Sequence, residues 1–321
     1  MQLAPDEIVV HYEFDSPGFW WRMLKQIVTM KQQKMPTGFE GHEIVVDNYS
    51  HKTDFLRLQI LQEQGGIYMD TDILPLRSFD DLRAGNTQFL MCYEDSTTTD
   101  KTPHGLGSAL LLSAPHSEFA ARWYDHYHTY DASNASWAGM AVEYPLELAK
   151  ELLGGQAQPT GLDPHLAAKP PITILPSDKT FFRPLWDEAG LHQLFVENDF
   201  DLSSNYAVHL WGLLGFNFIR ALQPKHIIDN SEEPEVTYTR AIKQALPSAL
   251  RQQLFELSKG TEGGLAPPRP THSWLSGSIC KHLNWCPKEH GIVPVICKYQ
   301  SFKRLKRLAF GGSCSTGGFG Q

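Results

Sequence analysis

Two acids, Asp70 and Asp72, follow a short apolar run in Gly65-Gly-Ile-Tyr-Met-Asp-Thr-Asp72, and a second acid–cation pair, Asp54 and Arg57, precedes them. Asp54 and Arg57 are three apart, so on a helix they share one face. Hard divalent cations take oxygen from one or two carboxylates together with phosphate. The planar fork of arginine suits diphosphate or sugar oxygens. The four residues together predict a site that grips the diphosphate of a nucleotide-sugar through a metal. Asp72 is the expected direct ligand, and Asp70 contacts metal or ribose. Asp54 accepts from ribose or sugar hydroxyls, and Arg57 pairs with donor oxygens. Singly these motifs are ordinary: Asp-Thr-Asp describes many solvated turns, and an exposed i,i+3 ion pair is worth under about 1 kcal/mol. Their order and spacing carry the reading.

A helix, a glycine pair and a strand must position these groups. Phe55, Leu58 and Leu61 form an apolar stripe at helical spacing. Gly65 and Gly66 fall where a left-handed C-cap ends a helix. Ile67–Met69 then reads as a strand. Asp70 and Asp72, two apart on extended backbone, nominally point the same way, at the C-terminal edge of an α/β sheet where ligands bind. Further strands are expected at Ile8–Tyr12, Glu43–Val46, Phe89–Tyr93, Ala109–Leu112, Ile172–Leu175 and Ala207–Leu210. The clearest helix is Glu118–Tyr130, where Phe119, Trp123 and Tyr127 recur every four residues. Trp137–Leu153 reads as helical with Pro145 early in its second run, and Val236–Leu257 as a helical pair broken near Pro247.

His51-Lys-Thr-Asp54-Phe-Leu-Arg57 through Asp70-Thr-Asp72-Ile-Leu-Pro75 resembles the DXD-containing sugar-binding region of family 32 glycosyltransferases. That group includes α-1,6-mannosyltransferases, with α-1,4-galactosyl- and N-acetylglucosaminyltransferases and large clostridial glucosylating toxins among its relatives. Similarity runs from about Pro5 to about Gly212, through His11-Tyr-Glu13, Trp20-Trp21, Phe119–Tyr124, Ile174-Leu-Pro176 and the closing Ala207-Val-His209-Leu-Trp211. The resemblance implies an α/β, Rossmann-like GT-A fold, a UDP- or GDP-sugar donor, a glycan or glycolipid acceptor, Mn²⁺ (or Mg²⁺) and retention of configuration. Carried onto these positions, it implies Asp70, Asp72 and Arg57 as catalytic and Asp54, Arg57, Tyr68, Ser108 and Trp211 as substrate-binding. The metal would take Asp72, Asp70 and His209. Two departures stand out: the usual first strand-turn unit, which helps hold the base, is not found, and Ser108 stands where the family usually has Asn. No nucleophile is evident, so front-face attack is favoured over a covalent intermediate. A Golgi setting is expected from the family, although Met1–Pro5 does not read as a signal peptide and no run approaches the roughly 20 apolar residues of a membrane span. Asn48-Tyr-Ser50 and Asn134-Ala-Ser136 are acceptor sequons.

With 321 residues, 41% hydrophobic and 20% charged, the chain can bury a full α/β core. Its net charge of −8 argues against nucleic acid as a general partner. Three regions are expected: a GT-A-like catalytic domain over 1–229, a helical extension over 230–262, and a Pro/Cys/basic tail over 263–321 expected to be disordered. From Thr271 onward seven basic residues face one acid, Glu289, a net +6 that leaves −14 over the rest. Cys280, Cys286, Cys297 and Cys314 lack the close pairing of a metal knuckle. They read as unpaired thiols, with two disulfides or a structural zinc as alternatives. Phe302, Leu305 and Leu308 among Lys303, Arg304, Lys306 and Arg307 read as a solvated basic tail or a membrane-surface helix. Bland readings also attach to His209 (a bonded core histidine), to Glu94 and Asp95 (a polar strand end rather than a contact to donor sugar) and to Trp20 and Trp21 (packing rather than stacking on a sugar). Two other functions fit parts of the pattern. A haloacid-dehalogenase-type phosphohydrolase also ends a strand in Asp-x-Asp but leaves Asp54 and Arg57 unexplained. A degenerate, non-catalytic nucleotide-sugar-binding protein would explain the missing first strand.

Overall fold

The computed structural model describes residues 5–16, 18–38, 49–84, 87–95, 103–131, 136, 138–155, 170–175, 181–212, 214–221, 235–259 and 292–298. In chain order the elements are β1 (Glu7–Tyr12), α1 (Phe19–Leu24), β2 (Thr29–Gln32), α2 (Tyr49–Gln64), β3 (Gly66–Met69), β4 (Ile73–Pro75), α3 (Asp80–Ala84), β5 (Phe89–Asp95) and β6 (Pro103–Ser113). They continue with α4 (Glu118–His126), a 3-10 turn (Tyr127–Thr129), a π-helical turn (Gly139–Glu143), α5 (Tyr144–Leu152), β7 (Thr173–Leu175) and α6 (Glu188–Phe195). The last are β8 (Ala207–His209), α7 (Phe216–Ala221), α8 (Thr237–Ala245), α9 (Ser248–Lys259) and β9 (Ile292–Lys298).

The result is a mixed α/β architecture. Seven strands form one sheet in the order β2-β1-β9-β3-β6-β5-β7. β1 and β2 are parallel, as are β5 and β7, whereas β6 and β9 run antiparallel to their neighbours. The C-terminal ends of β1, β3, β5 and β7 therefore share one edge with the N-terminal ends of β6 and β9. Period-two alternation separates two apolar layers. Phe89, Met91 and Tyr93 of β5 join Phe55, Leu58 and Leu61 of α2 and Phe119 and Trp123 of α4 on one face. Leu90 and Cys92 join Met69, Phe182 and Trp211 on the other.

Several expectations are corrected. β8 does not enter the main sheet; it pairs antiparallel with β4 in a two-stranded ribbon. The segment expected as an irregular tail contributes β9, a central strand between β1 and β3. Unpaired β1 and β3 edges would leave buried backbone groups unsatisfied; the β-branched Ile292, Val293, Val295 and Ile296 suit that slot, and Pro294 falls where the β1–β9 register shifts, between Ile292 opposite Tyr12 and Val295 opposite Val10. Residues 139–143 form a π-helical turn where a regular helix is expected. The expected strand at Glu43–Val46, Trp137, both sequon asparagines, Cys280, Cys286, Cys314 and the 302–308 segment lie outside the described residues. The helical pair split at Pro247 is present as α8 and α9. Trp21 packs edge-on to Tyr12, their centroids 5.3 Å apart, as a core residue. No described helix is long and apolar enough to cross a membrane.

Candidate functional site

α2 brings Asp54 and Arg57 to the sheet. It stops at Gly65, whose φ is +64° and whose N–H donates to the Leu61 carbonyl (2.8 Å). A side chain there would meet the backbone nitrogen of Pro115 at 2.6 Å, so only glycine fits both turn and approach. Arg57 is 5% exposed. Its Nη2 lies 2.7 Å from Asp54 Oδ1 and 3.6 Å from Asp70 Oδ1. Its Nη1 donates to the Ser108 carbonyl (2.5 Å) and hydroxyl (3.1 Å). Its Cζ stacks 4.5 Å from the Tyr68 ring centroid.

The two acids do not lie on extended backbone as expected. Ile73 N–H donates to the Asp70 carbonyl (3.1 Å), so Asp70-Thr-Asp72 forms a tight turn joining β3 to β4. Convergence comes instead from the ribbon. Ile73 pairs with His209, and Leu210 N–H donates to the Asp72 carbonyl (2.9 Å), which sets His209 Nε2 3.3 Å from Asp72 Oδ2. Trp211 follows with φ +50°, in the left-handed region that a bulky residue seldom occupies. Immediately after it, Gly212 N–H donates to Asp72 Oδ2 (2.7 Å), and a Cβ at 212 would stand 3.1 Å from that oxygen. The Trp211 indole donates to the Pro184 carbonyl (2.9 Å) and packs 3.9 Å from the His209 ring.

Asp70, Asp72 and His209 bring their ligand atoms within 4.8 Å of one another. Two carboxylates and an imidazole fit a divalent cation, with Mn²⁺ better suited than the strictly oxygen-seeking Mg²⁺. The side chains of Asp70 and Asp72 keep 30% and 28% exposure, so the group is reachable from solvent. Burial pushes the Asp54 carboxyl up to about 6 against the pull of Arg57. Burial also raises Asp70, although Arg57 and the Tyr68 hydroxyl oppose it. At Asp72 burial is outweighed by His209 and the Gly212 N–H, which hold the carboxyl down at about 2. His209 is raised in turn: burial disfavours its charge, but Asp72, Asp70 and Glu94 outweigh it.

The structure thus brings Asp54, Arg57, Tyr68, Asp70, Asp72, Ser108, His209 and Trp211 into one neighbourhood, with different contacts for several. Tyr68, expected at the substrate, is fully buried; its ring lies under Arg57 and its hydroxyl donates to Asp70. Asp54, expected to meet hydroxyls of ribose or sugar, is buried against Arg57. Ser108 holds Arg57, and Trp211 backs His209. Gly212 was not foreseen; the one signal for it was its place directly after the closing His-Leu-Trp.

Residues 5–89 match the family described as glycosyltransferase sugar-binding region containing DXD motif. The chain is also 32% identical over 233 residues to glucan organizing enzyme 1 of Cryptococcus neoformans var. grubii serotype A. That alignment covers 72% of this chain and 58% of the relative, so the chain spans little more than half the relative's length. The matched stretch contains Asp54, Arg57, Asp70 and Asp72, in keeping with the resemblance to family 32.

Proposed function

We propose that the protein is a metal-dependent, retaining glycosyltransferase of GT-A type that moves a hexose from a UDP- or GDP-sugar to a glycan or glycolipid hydroxyl. The observation that carries this reading is the convergence of Asp70, Asp72 and His209 at the open sheet edge, inside and beside a DXD region. A cation bound there supplies a Lewis acid that neutralises charge on the departing nucleoside diphosphate. The protein's part is to hold its ligands ready. Gly212 and His209 fix Asp72, Tyr68 fixes Asp70, and Arg57, itself fixed by Asp54 and Ser108, places a permanent positive charge behind Asp70. Groups fixed before charge develops stabilise the transition state without reorganising. Front-face attack is the preferred route to retention, because it asks no nucleophile of the protein. The relative's name speaks of glucan, which favours a polysaccharide acceptor.

A hydrolysis and transfer screen of UDP- and GDP-sugars, with and without Mn²⁺, tests the proposal. Turnover of donors carrying one base, abolished by chelation, is expected. Donor binding without turnover across all donors and acceptors would favour a non-catalytic binding protein, and phosphate release from simple phosphomonoesters would favour a phosphohydrolase.

A further inference from the structure

Glu94, the penultimate residue of β5, stands at the same sheet edge, and so far its charge on His209 is its one link to the site described above. Along β5, Leu90 and Cys92 enter the layer that contains Phe182 and Trp211. Glu94 continues that face by alternation, so an apolar face ends in a carboxylate. His209 makes ring contacts with both Phe182 (5.8 Å) and Trp211 (3.9 Å), which places the imidazole over the same layer. Opposite Glu94 in the ladder stands Gly105, and opposite Cys92 stands Gly107. Neither position has room for a side chain. A Cβ at 107 would lie 2.3 Å from the Phe182 ring, and one at 105 would lie 2.2 Å from the carbonyl oxygen of Val142 in the π-helical turn. Glu94 is therefore bordered across the ladder by backbone rather than by a side chain able to pair with it.

Among the described residues no hydrogen bond engages the Glu94 carboxylate. Burial pushes it up, and only the more distant charges of His209 and His104 pull it down. His104 Nε2 lies 3.8 Å from Glu143 Oε1. Glu94 itself remains part-exposed at the edge.

We infer that Glu94 is a substrate-contacting residue whose carboxylate accepts hydrogen bonds from hydroxyls of the donor hexose. β6 lies between β3 and β5, so Glu94 stands two interstrand steps, about 10 Å, from the strand that leads into Asp70. That offset leaves room for a diphosphate at the Asp70–Asp72–His209 cluster and puts the attached sugar, not the diphosphate, beside Glu94. An ionised carboxylate is an acceptor only. One that no donor among the described residues engages matches a ligand made of hydroxyl donors. The inference rests on the metal cluster being the diphosphate site.

Thermal shift with Mn²⁺ plus UDP, GDP, UDP-glucose or GDP-mannose, together with donor-hydrolysis and transfer kinetics, on the wild type, Glu94→Gln and Glu94→Ala, separates the two claims. The stabilisation by free UDP or GDP is expected to survive in both variants. The KM for donor hydrolysis is expected to rise about ten- to a hundredfold, the loss for a hydrogen bond to a charged group. Wild-type donor KM in both variants would overturn the inference while leaving the metal site standing. So would an unchanged donor KM with a raised acceptor KM. Failure of every nucleotide to stabilise the wild type would overturn the metal-site reading and this inference with it.

Discussion

Arg57 has its guanidinium divided among Asp54, Asp70, the Ser108 carbonyl and the face of Tyr68. Lysine would keep the charge but lose the fork and the stacking plane, leaving the buried Asp54 with a poorer partner. Arg57→Lys is expected to lower stability by about 1–3 kcal/mol in urea unfolding and to reduce donor turnover more than tenfold. A variant matching the wild type in both would show that the fork does not position Asp70. At this scale the sequence was most legible where partners are local. The i,i+3 spacing of Asp54 and Arg57 and the nearby Asp-Thr-Asp are short-range facts. The roles of Tyr68 and Gly212 were hidden because they depend on which group lies across a turn or on the 140-residue separation between Asp72 and Gly212.

The elements set how firmly those residues are held. Near its start α2 is tied down by His51, whose Nδ1 is hydrogen-bonded to the Tyr130 hydroxyl (2.6 Å). Burial holds the His51 imidazole below its ordinary value. The unfolded chain therefore takes up that proton first as pH falls, so this contribution to stability is present above about 6.5 and is lost as pH drops through the lower folded value. Asp54 and His209, raised on folding, titrate with the opposite sign in both proteins, so the prediction is a difference: between neutral pH and pH 5 the wild-type urea midpoint should lose ground relative to that of His51→Gln, and parallel profiles would contradict the assignment. β9 calls for a different probe. Ile296 pairs with Val9 on one side and Tyr68 on the other, and proline cannot donate to a central ladder. Ile296→Pro should cost roughly 2–4 kcal/mol, and unchanged stability would exclude β9 from the sheet. Most strands and α4 could be read from period-two and period-four apolar patterns. β9 could not, because its seven residues stand among prolines, cysteines and basic residues, and its partners lie more than two hundred residues earlier in sequence.

At the scale of the molecule, a mixed sheet brings the ends of β3, β5 and β6 to one edge, while the β4–β8 ribbon carries His209 across to meet the acids. The alternating α/β order was plain in the sequence. The ribbon was not, since Ile73–Pro75 was not among the expected strands and Ala207–Leu210 had no partner outside the main sheet. The central claim is that a cation held by Asp70, Asp72 and His209 links the protein to a nucleoside diphosphate. Its most direct test is calorimetric titration of UDP and GDP into the wild type with Mn²⁺, into the wild type without it, and into Asp72→Ala with it. Binding of one nucleotide that requires the cation, and is weakened at least about tenfold (1.4 kcal/mol) in the variant, is the predicted result. Equal affinity with and without Mn²⁺, or in both proteins, would contradict it.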